Sequence, residues 1–301
     1  MHIQAALPPN GTSRAQPGPS PPLALTTRYY LGLSAQFAQP RIFSSQHTSS
    51  ARLFRTTRAA ISPTMPLPFS LPQASLAATI LTSTVGTYIA LSPPNPATQS
   101  TPPTGDSIRL FTHKHMTKIA VAPLGLLALH TSSLAYLYPA VPAALLRYGT
   151  ENGLNPSLVT WSTLTAVPLA LIICAGMPLR LASYASLGKN FTFTLAEPDR
   201  LTTTGLYRYV QHPSYTGLMV LIVCNLALLC RTDGALSCWA PPAWYRVLRV
   251  AEWVLAPVGL AAVLFAVWTR VREEERMLRA EFGLDWENWH ARTARFIPWL
   301  F

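Results

Sequence analysis

Apolar stretches long enough to cross a bilayer alternate with short polar segments along most of the chain. Five stand out, at roughly 71–91, 119–141, 158–179, 214–230 and 248–269. An α-helix rising about 1.5 Å per residue needs about 20 apolar residues to span the hydrocarbon core. The pattern predicts an all-α integral membrane protein of about five transmembrane helices. The first stretch is the least apolar, being rich in Thr and Ser. Pro142, Pro168 and Pro178 are expected to kink or end their helices, which is tolerated where neighbours satisfy the freed backbone groups. Residues 92–107 are rich in Pro, Thr and Ser and read as a loop. The last two stretches form a C-terminal helical hairpin.

Composition agrees with this pattern. The 301 residues are 50% hydrophobic and 12% charged; a soluble domain carries about 25% charged residues. Seven of the twelve acids lie after position 250, three of them consecutive. The formal net charge of +11 does not imply nucleic acid. The Arg residues are scattered between apolar stretches, without the basic-aromatic strip of a nucleic-acid groove. Cys174, Cys224, Cys230 and Cys238 lack CxxC spacing, so neither a metal site nor a disulfide framework is indicated; they read as small buried hydrophobes.

Residues 1–64 contain no Asp or Glu and carry Arg14, Arg28, Arg41, Arg52, Arg55 and Arg58. This suits a transit peptide or a disordered tail. Equally, it suits an extended gene start, because Met65 opens a plausible shorter protein. Residues 65–179 then hold the N-terminal helices and 180–301 the region with candidate chemistry. Five spans place the basic segments 92–118, 180–213 and the stretch after 269 on one side, cytosolic by the positive-inside rule. The Arg-rich start would face the other side, a conflict that argues against its presence in the mature protein.

Two polar segments flank the terminal hairpin. The first runs Gly205-Leu-Tyr207-Arg-Tyr209-Val-Gln211-His212-Pro213-Ser-Tyr215-Thr-Gly217. Pro213 disfavours a helical His212 and suits the first turn of a helix, so His212 is expected at the cytosolic mouth of the fourth span. The tyrosines suit an interfacial belt, or a pocket for an adenine ring or a sulfonium cation. The second segment runs Arg270-Val-Arg-Glu273-Glu274-Glu275-Arg276-Met-Leu278, then Phe282-Gly283. The helix is expected to continue out of the membrane and stop at Gly283. Arg270 and Glu274 are four apart and share a face, with Glu275 about 100° away. Such a run is either a solvated extension with ordinary pairs or a carboxylate site for a cation, Arg270 included.

The order Arg180, Leu187-Gly188-Lys-Asn-Phe191, Gly205-Leu-Tyr207, His212-Pro213-Ser-Tyr215, Arg270, Glu274-Glu275, Phe282-Gly283, Trp286…Trp289 and Arg292 resembles the isoprenylcysteine carboxyl methyltransferases and their phospholipid-methyltransferase relatives. The resemblance covers 180–301. It implies a multi-span endoplasmic-reticulum enzyme with its C-terminus cytosolic. It also implies S-adenosyl-L-methionine as methyl donor in a cytosolic pocket, and a prenylated CaaX protein that enters from the membrane lipids. By this resemblance Tyr207, Gln211, His212, Pro213, Tyr215 and Glu275 fall on the cofactor side, and Arg270, Glu274 and Arg292 on the catalytic side. Two departures stand out: Gln211 replaces the family's usual Arg before His-Pro, and Trp286 and Trp289 replace Tyr. A further Arg-x-Pro is shifted to Thr293-Ala294-Arg295.

The residue types suit the reaction. A carboxylate is already a nucleophile at neutral pH and needs no general base; it needs alignment in a dry site. Arg270, with Arg292 as second choice, can grip it bidentately, and Glu274 can orient that Arg or bind the cofactor. Phosphatidylethanolamine N-methylation is the alternative, with His212 or Glu275 as the base that an ammonium requires. A non-catalytic membrane protein of the same fold is the third reading.

Overall fold

The computed structural model describes residues 70–95, 116–192 and 197–298. The expectations for residues 1–64 and for most of the 92–107 loop lie outside them. Seven α-helices occur among the described residues: α1 (Leu71–Leu91), α2 (Met116–Leu137), α3 (Ala143–Leu146), α4 (Thr163–Leu171), α5 (Met177–Leu187), α6 (Pro213–Leu229) and α7 (Pro242–His290). No strand is present among them, only one isolated parallel bridge between Val210 and Ala294. Leu71–Leu91, Pro156–Asn190 and Pro242–His290 are long and apolar enough to cross a membrane, whereas Val121–Leu137 and Pro213–Leu229 are apolar but shorter.

The polar character of α1 is absorbed locally. The hydroxyls of Ser83 and Thr84 donate to the Ile80 carbonyl at 2.8 and 2.9 Å, and Thr87 donates to Ser83 at 2.8 Å. Hydroxyls bonded back to their own helix present no unsatisfied group to an apolar neighbour. Leu76 and Ile80 of α1 pack with Leu134 of α2, Leu169 of α4 and Leu228 and Leu229 of α6 in the main core. Cys224 and Cys238 are buried as expected, but Cys174 is exposed.

The third stretch runs further than its composition suggests. Pro178 cannot donate to the carbonyl one turn back, and the ladder widens into a π-turn over Ile172–Gly176 before α5 continues to Leu187. The proline therefore redirects the helix rather than ending it, and α5 carries Arg180 into the interior, 5% exposed.

Glycine brings α6 against this bend. A Cβ on Gly217 would lie 2.9 Å from the Gly176 carbonyl oxygen and 3.0 Å from the Arg180 nitrogen. Small residues permit such close backbone approach between membrane helices. Gly217→Val is expected to force α6 off α5 and destabilise the protein by about 1–3 kcal/mol. A lowered midpoint in thermal unfolding of the detergent-solubilised protein measures it; an unchanged midpoint would mean that the crossing is loose.

The helix α7 leaves the apolar region and carries Arg270–Phe282 beyond it, as the sequence predicts. Gly283 breaks it with φ +52°, and a further helical turn ends at His290. The apolar part of α7 turns its large side chains outward, with Trp253 83% and Phe265 72% exposed, a surface suited to acyl chains.

Candidate active site at the His-Pro turn

Three pieces of chain converge at the start of α6: the turn 205–212, the extension of α7 beyond Thr269, and segment 291–298 after α7. Gly205 opens the turn with φ +64°, a conformation that glycine adopts without a steric penalty. A short 3-10 helix then spans Gly205–Arg208. His212 has φ −126° and ψ 55°, outside the helical region, and Pro213 starts α6, as the sequence requires. Backbone groups before Pro213 have no helical partners and pair instead with the last segment. Gln211 N donates to Ala294 O at 2.8 Å, His212 N to Arg295 O at 2.9 Å, and Ala294 N to Tyr209 O at 3.2 Å.

The acidic run divides between two clusters. Tyr215 on the first turn of α6 donates its hydroxyl to Glu274 Oε2 at 3.0 Å. Arg270 is 4% exposed, and its Nη1 lies 3.9 Å from Glu273 Oε2. The sequence places Arg270 and Glu274 on one face; in the structure Glu273, at i+3, also approaches Arg270, and Glu274 accepts from Tyr215. Glu275 points to a different neighbourhood. Its Oε1 accepts from Arg295 Nε at 2.9 Å and lies 3.5 Å from His212 Nε2. Burial pushes the Glu275 carboxyl up, but hydrogen bonding from His212 and Arg295 and their charges outweigh it and hold the group at about 2.

An aromatic wall closes one side. Tyr207, Trp286 and Trp289 are buried together, with Leu187, Leu201, Leu278 and Phe282 against them. Trp289 Nε1 donates to the Tyr207 carbonyl at 2.8 Å, so the indole supplies a donor at a position where the family resemblance implies Tyr. Trp286 stacks on His290 with centroids 4.4 Å apart and an interplanar angle of 18°. Burial, followed by the nearby Glu274 charge, pushes the Tyr207 hydroxyl well above its ordinary range.

Of the nine sequence-predicted residues, Tyr207, Gln211, His212, Pro213, Tyr215, Arg270, Glu274 and Glu275 are brought together. Arg292 is not: it is exposed, and its Nε donates to the Asn288 carbonyl of its own turn at 2.8 Å. Gln211 is 3% exposed and committed within the protein. Its Nε2 donates to Thr293 O at 2.8 Å and His290 O at 3.1 Å, and its Oε1 lies 2.8 Å from His290 Nδ1. The residue that sequence reasoning left without a role is Arg295. Its only signal was the shifted Arg-x-Pro pattern.

Residues 168–240 match the isoprenylcysteine carboxyl methyltransferase (ICMT) family. The matched stretch covers α5, the His-Pro turn and α6, and ends before α7. The chain is similar to a "Probable protein-S-isoprenylcysteine O-methyltransferase" of Oryza sativa subsp. indica, 25% identical over 54% of this chain and 75% of that protein. It is 27% identical to "Protein-S-isoprenylcysteine O-methyltransferase A" of Arabidopsis thaliana over 54% of this chain and 73% of that one. With the Homo sapiens "Protein-S-isoprenylcysteine O-methyltransferase" it shares 28% identity over 56% and 52%. No solved structure matches. Over the His-Pro turn the chain is therefore similar to the isoprenylcysteine carboxyl methyltransferase family, and the relatives it matches share one enzyme name.

Proposed function

We propose that this protein uses S-adenosyl-L-methionine to methyl-esterify the C-terminal prenylcysteine carboxylate of CaaX-processed proteins. The observation that carries this reading is the state of the acidic cluster. Amine methylation needs a general base whose pKa lies near the working pH. Glu275 is held at about 2, which makes it a weak base. His212 is 3% exposed, with Nε2 turned toward that same carboxylate. A carboxylate acceptor, ionised at neutral pH, asks for neither.

The residues fit the cofactor. The buried ring nitrogen Trp286 Nε1 has no hydrogen-bond partner, and a ligand rich in polar atoms would satisfy such a group. Tyr207, Trp286 and His290 offer aromatic faces to an adenine ring. His212, Pro213 and Tyr215 shape the adjoining turn, and Glu275 holds negative charge facing a cationic ligand. Bound there, the cofactor supplies an electrophilic sulfonium methyl. Arg270, at the end of the apolar part of α7, grips the acceptor carboxylate through its planar fork. Glu273 and the Tyr215–Glu274 pair fix the surroundings of that guanidinium.

In this reading α1, α2, the bent α4–α5 helix, α6 and α7 form about five spans in the endoplasmic-reticulum membrane, with the site and the C-terminus cytosolic. The prenyl chain arrives from the lipid along the apolar part of α7. Methylation removes the acceptor's charge and strengthens its membrane attachment.

The test uses membranes expressing the full chain, labelled S-adenosylmethionine, and two acceptors, N-acetyl-S-farnesylcysteine and phosphatidylethanolamine. Base-labile methyl ester on the farnesylcysteine is expected. Label confined to the lipid would move the assignment to phospholipid N-methylation; label in neither would mean a protein that keeps the fold without the turnover.

A further inference from the structure

Segment 291–298 lies directly against the His-Pro turn, and its attachment is built from side chains as well as backbone. Gln211 ties the turn to the end of α7 through Thr293 and His290. Further along, Thr216 Oγ1 donates to Phe296 O at 2.9 Å, and the Phe296 ring lies 6.0 Å from that of His212. Between these fixings, Arg295 reaches Glu275 with Nε at 2.9 Å and a second nitrogen at 3.4 Å. Its guanidinium also lies 5.7 Å from the Trp268 ring on α7, within cation–π range.

We propose that segment 291–298 is a strap that completes the cofactor side of the site, that Arg295 is a positioning residue acting through Glu275, and that Gln211 is the latch that holds the strap in place. The proposal rests on the methyltransferase reading above. It also assigns Gln211 a specific task. The resemblance implies an Arg at 211, beside His212; this chain has a neutral amide there, and the cation that meets Glu275 comes from the strap instead. Gln suits the latch because its amide both donates and accepts, which the carbonyls of Thr293 and His290 and the His290 ring together require. Arginine has no acceptor to offer the ring.

Three groups face Glu275: His212 from the turn, Arg295 from the strap and His290 from the end of α7. His212 is at 3.5 Å, long for a hydrogen bond, and the charge of His290 is disfavoured by burial. Arg295 is therefore the cation that fixes the carboxylate, both in its ionised state and in its rotamer. Without it, Glu275 is partly buried beside a distant His212 and a His290 whose charge is disfavoured, and it swings or protonates more readily.

The experiment measures S-adenosylhomocysteine binding to the purified full-length protein in detergent, between pH 3 and 8, together with hydrogen exchange at 209–212 and 291–296. Arg295→Gln is expected to weaken binding about tenfold or more and to move the acid limb of the binding profile to higher pH. Arg295→Lys, keeping the charge, is expected to recover part of both. Gln211→Leu is expected to weaken binding similarly and to speed exchange at the paired amides of 211, 212 and 294. Binding and acid limb unchanged in Arg295→Gln would overturn the positioning role, and unchanged exchange in Gln211→Leu would overturn the latch. A wild-type protein that does not bind at all overturns the methyltransferase reading, and the role of Arg295 with it; the exchange result still decides whether the strap is latched.

Discussion

Arg270→Ala is expected to abolish methyl transfer, with a fall of about 10³-fold in turnover, while the protein remains in the membrane. The side chain is 4% exposed at the point where α7 leaves its apolar stretch. It lies beside Glu273, with Glu274 one residue further along the same helix. A guanidinium there offers a carboxylate two parallel donors, and an ammonium offers one point charge. Arg270→Lys is therefore expected to fall between wild type and alanine, with the acceptor KM raised more than the affinity for S-adenosylhomocysteine is weakened. Removing a buried cation also leaves its acidic neighbours uncompensated, at a cost of about 3–5 kcal/mol. Binding of S-adenosylhomocysteine by the detergent-purified variant separates the two effects: a variant that still binds but does not turn over has lost its grip on the acceptor. Glu274→Gln keeps an acceptor for the Tyr215 hydroxyl and is expected to cost only about tenfold. Wild-type turnover in Arg270→Ala would place the acceptor carboxylate elsewhere.

The sequence carried those features whose causes are local. The limits of α1 coincide with its apolar stretch, since nothing but composition and the caps Ser70 and Ser92 sets them. The start of α6 at Pro213 and the break at Gly283 follow from the backbone preferences of single residues. Pro178 was expected to kink or end its helix, and a π-turn lets the helix continue, so the third stretch runs past its apolar part to Leu187. The site was legible as a list of residues but not as a set of pairings. Glu273 lies 3.9 Å from Arg270, and Tyr215 arrives from α6 to bond Glu274, a contact between helices that the spacing along one helix does not encode. Arg295 and the bonds of Gln211 were hidden for a further reason. They span about 20 and 80 positions of sequence, and no periodicity encodes contacts made by an irregular segment folding back.

The second large effect is expected at Glu275, and pH exposes it. With its carboxyl held near 2 in the folded protein against an ordinary 4.5, Glu275 binds fewer protons folded than unfolded in the window between those values. Its pairing with Arg295 and His212 therefore contributes stability that is fully present above about pH 4.5 and is lost as the pH falls through 2. Glu275→Gln removes the charge at every pH and leaves Arg295 without its ion-pair partner. The variant is expected to unfold at a lower temperature than wild type at pH 7, and the gap between the two is expected to close progressively below pH 4.5. Asp233, also held below its usual range, chiefly by the Arg231 hydrogen bond, weakens both proteins equally in acid and cancels from the difference. Thermal unfolding of the two proteins in one detergent, at pH 7, 4.5 and 3, reads the gap directly. A constant gap would mean that Glu275 is not held ionised by its partners, which would also restore it as a candidate base and return weight to an amine acceptor.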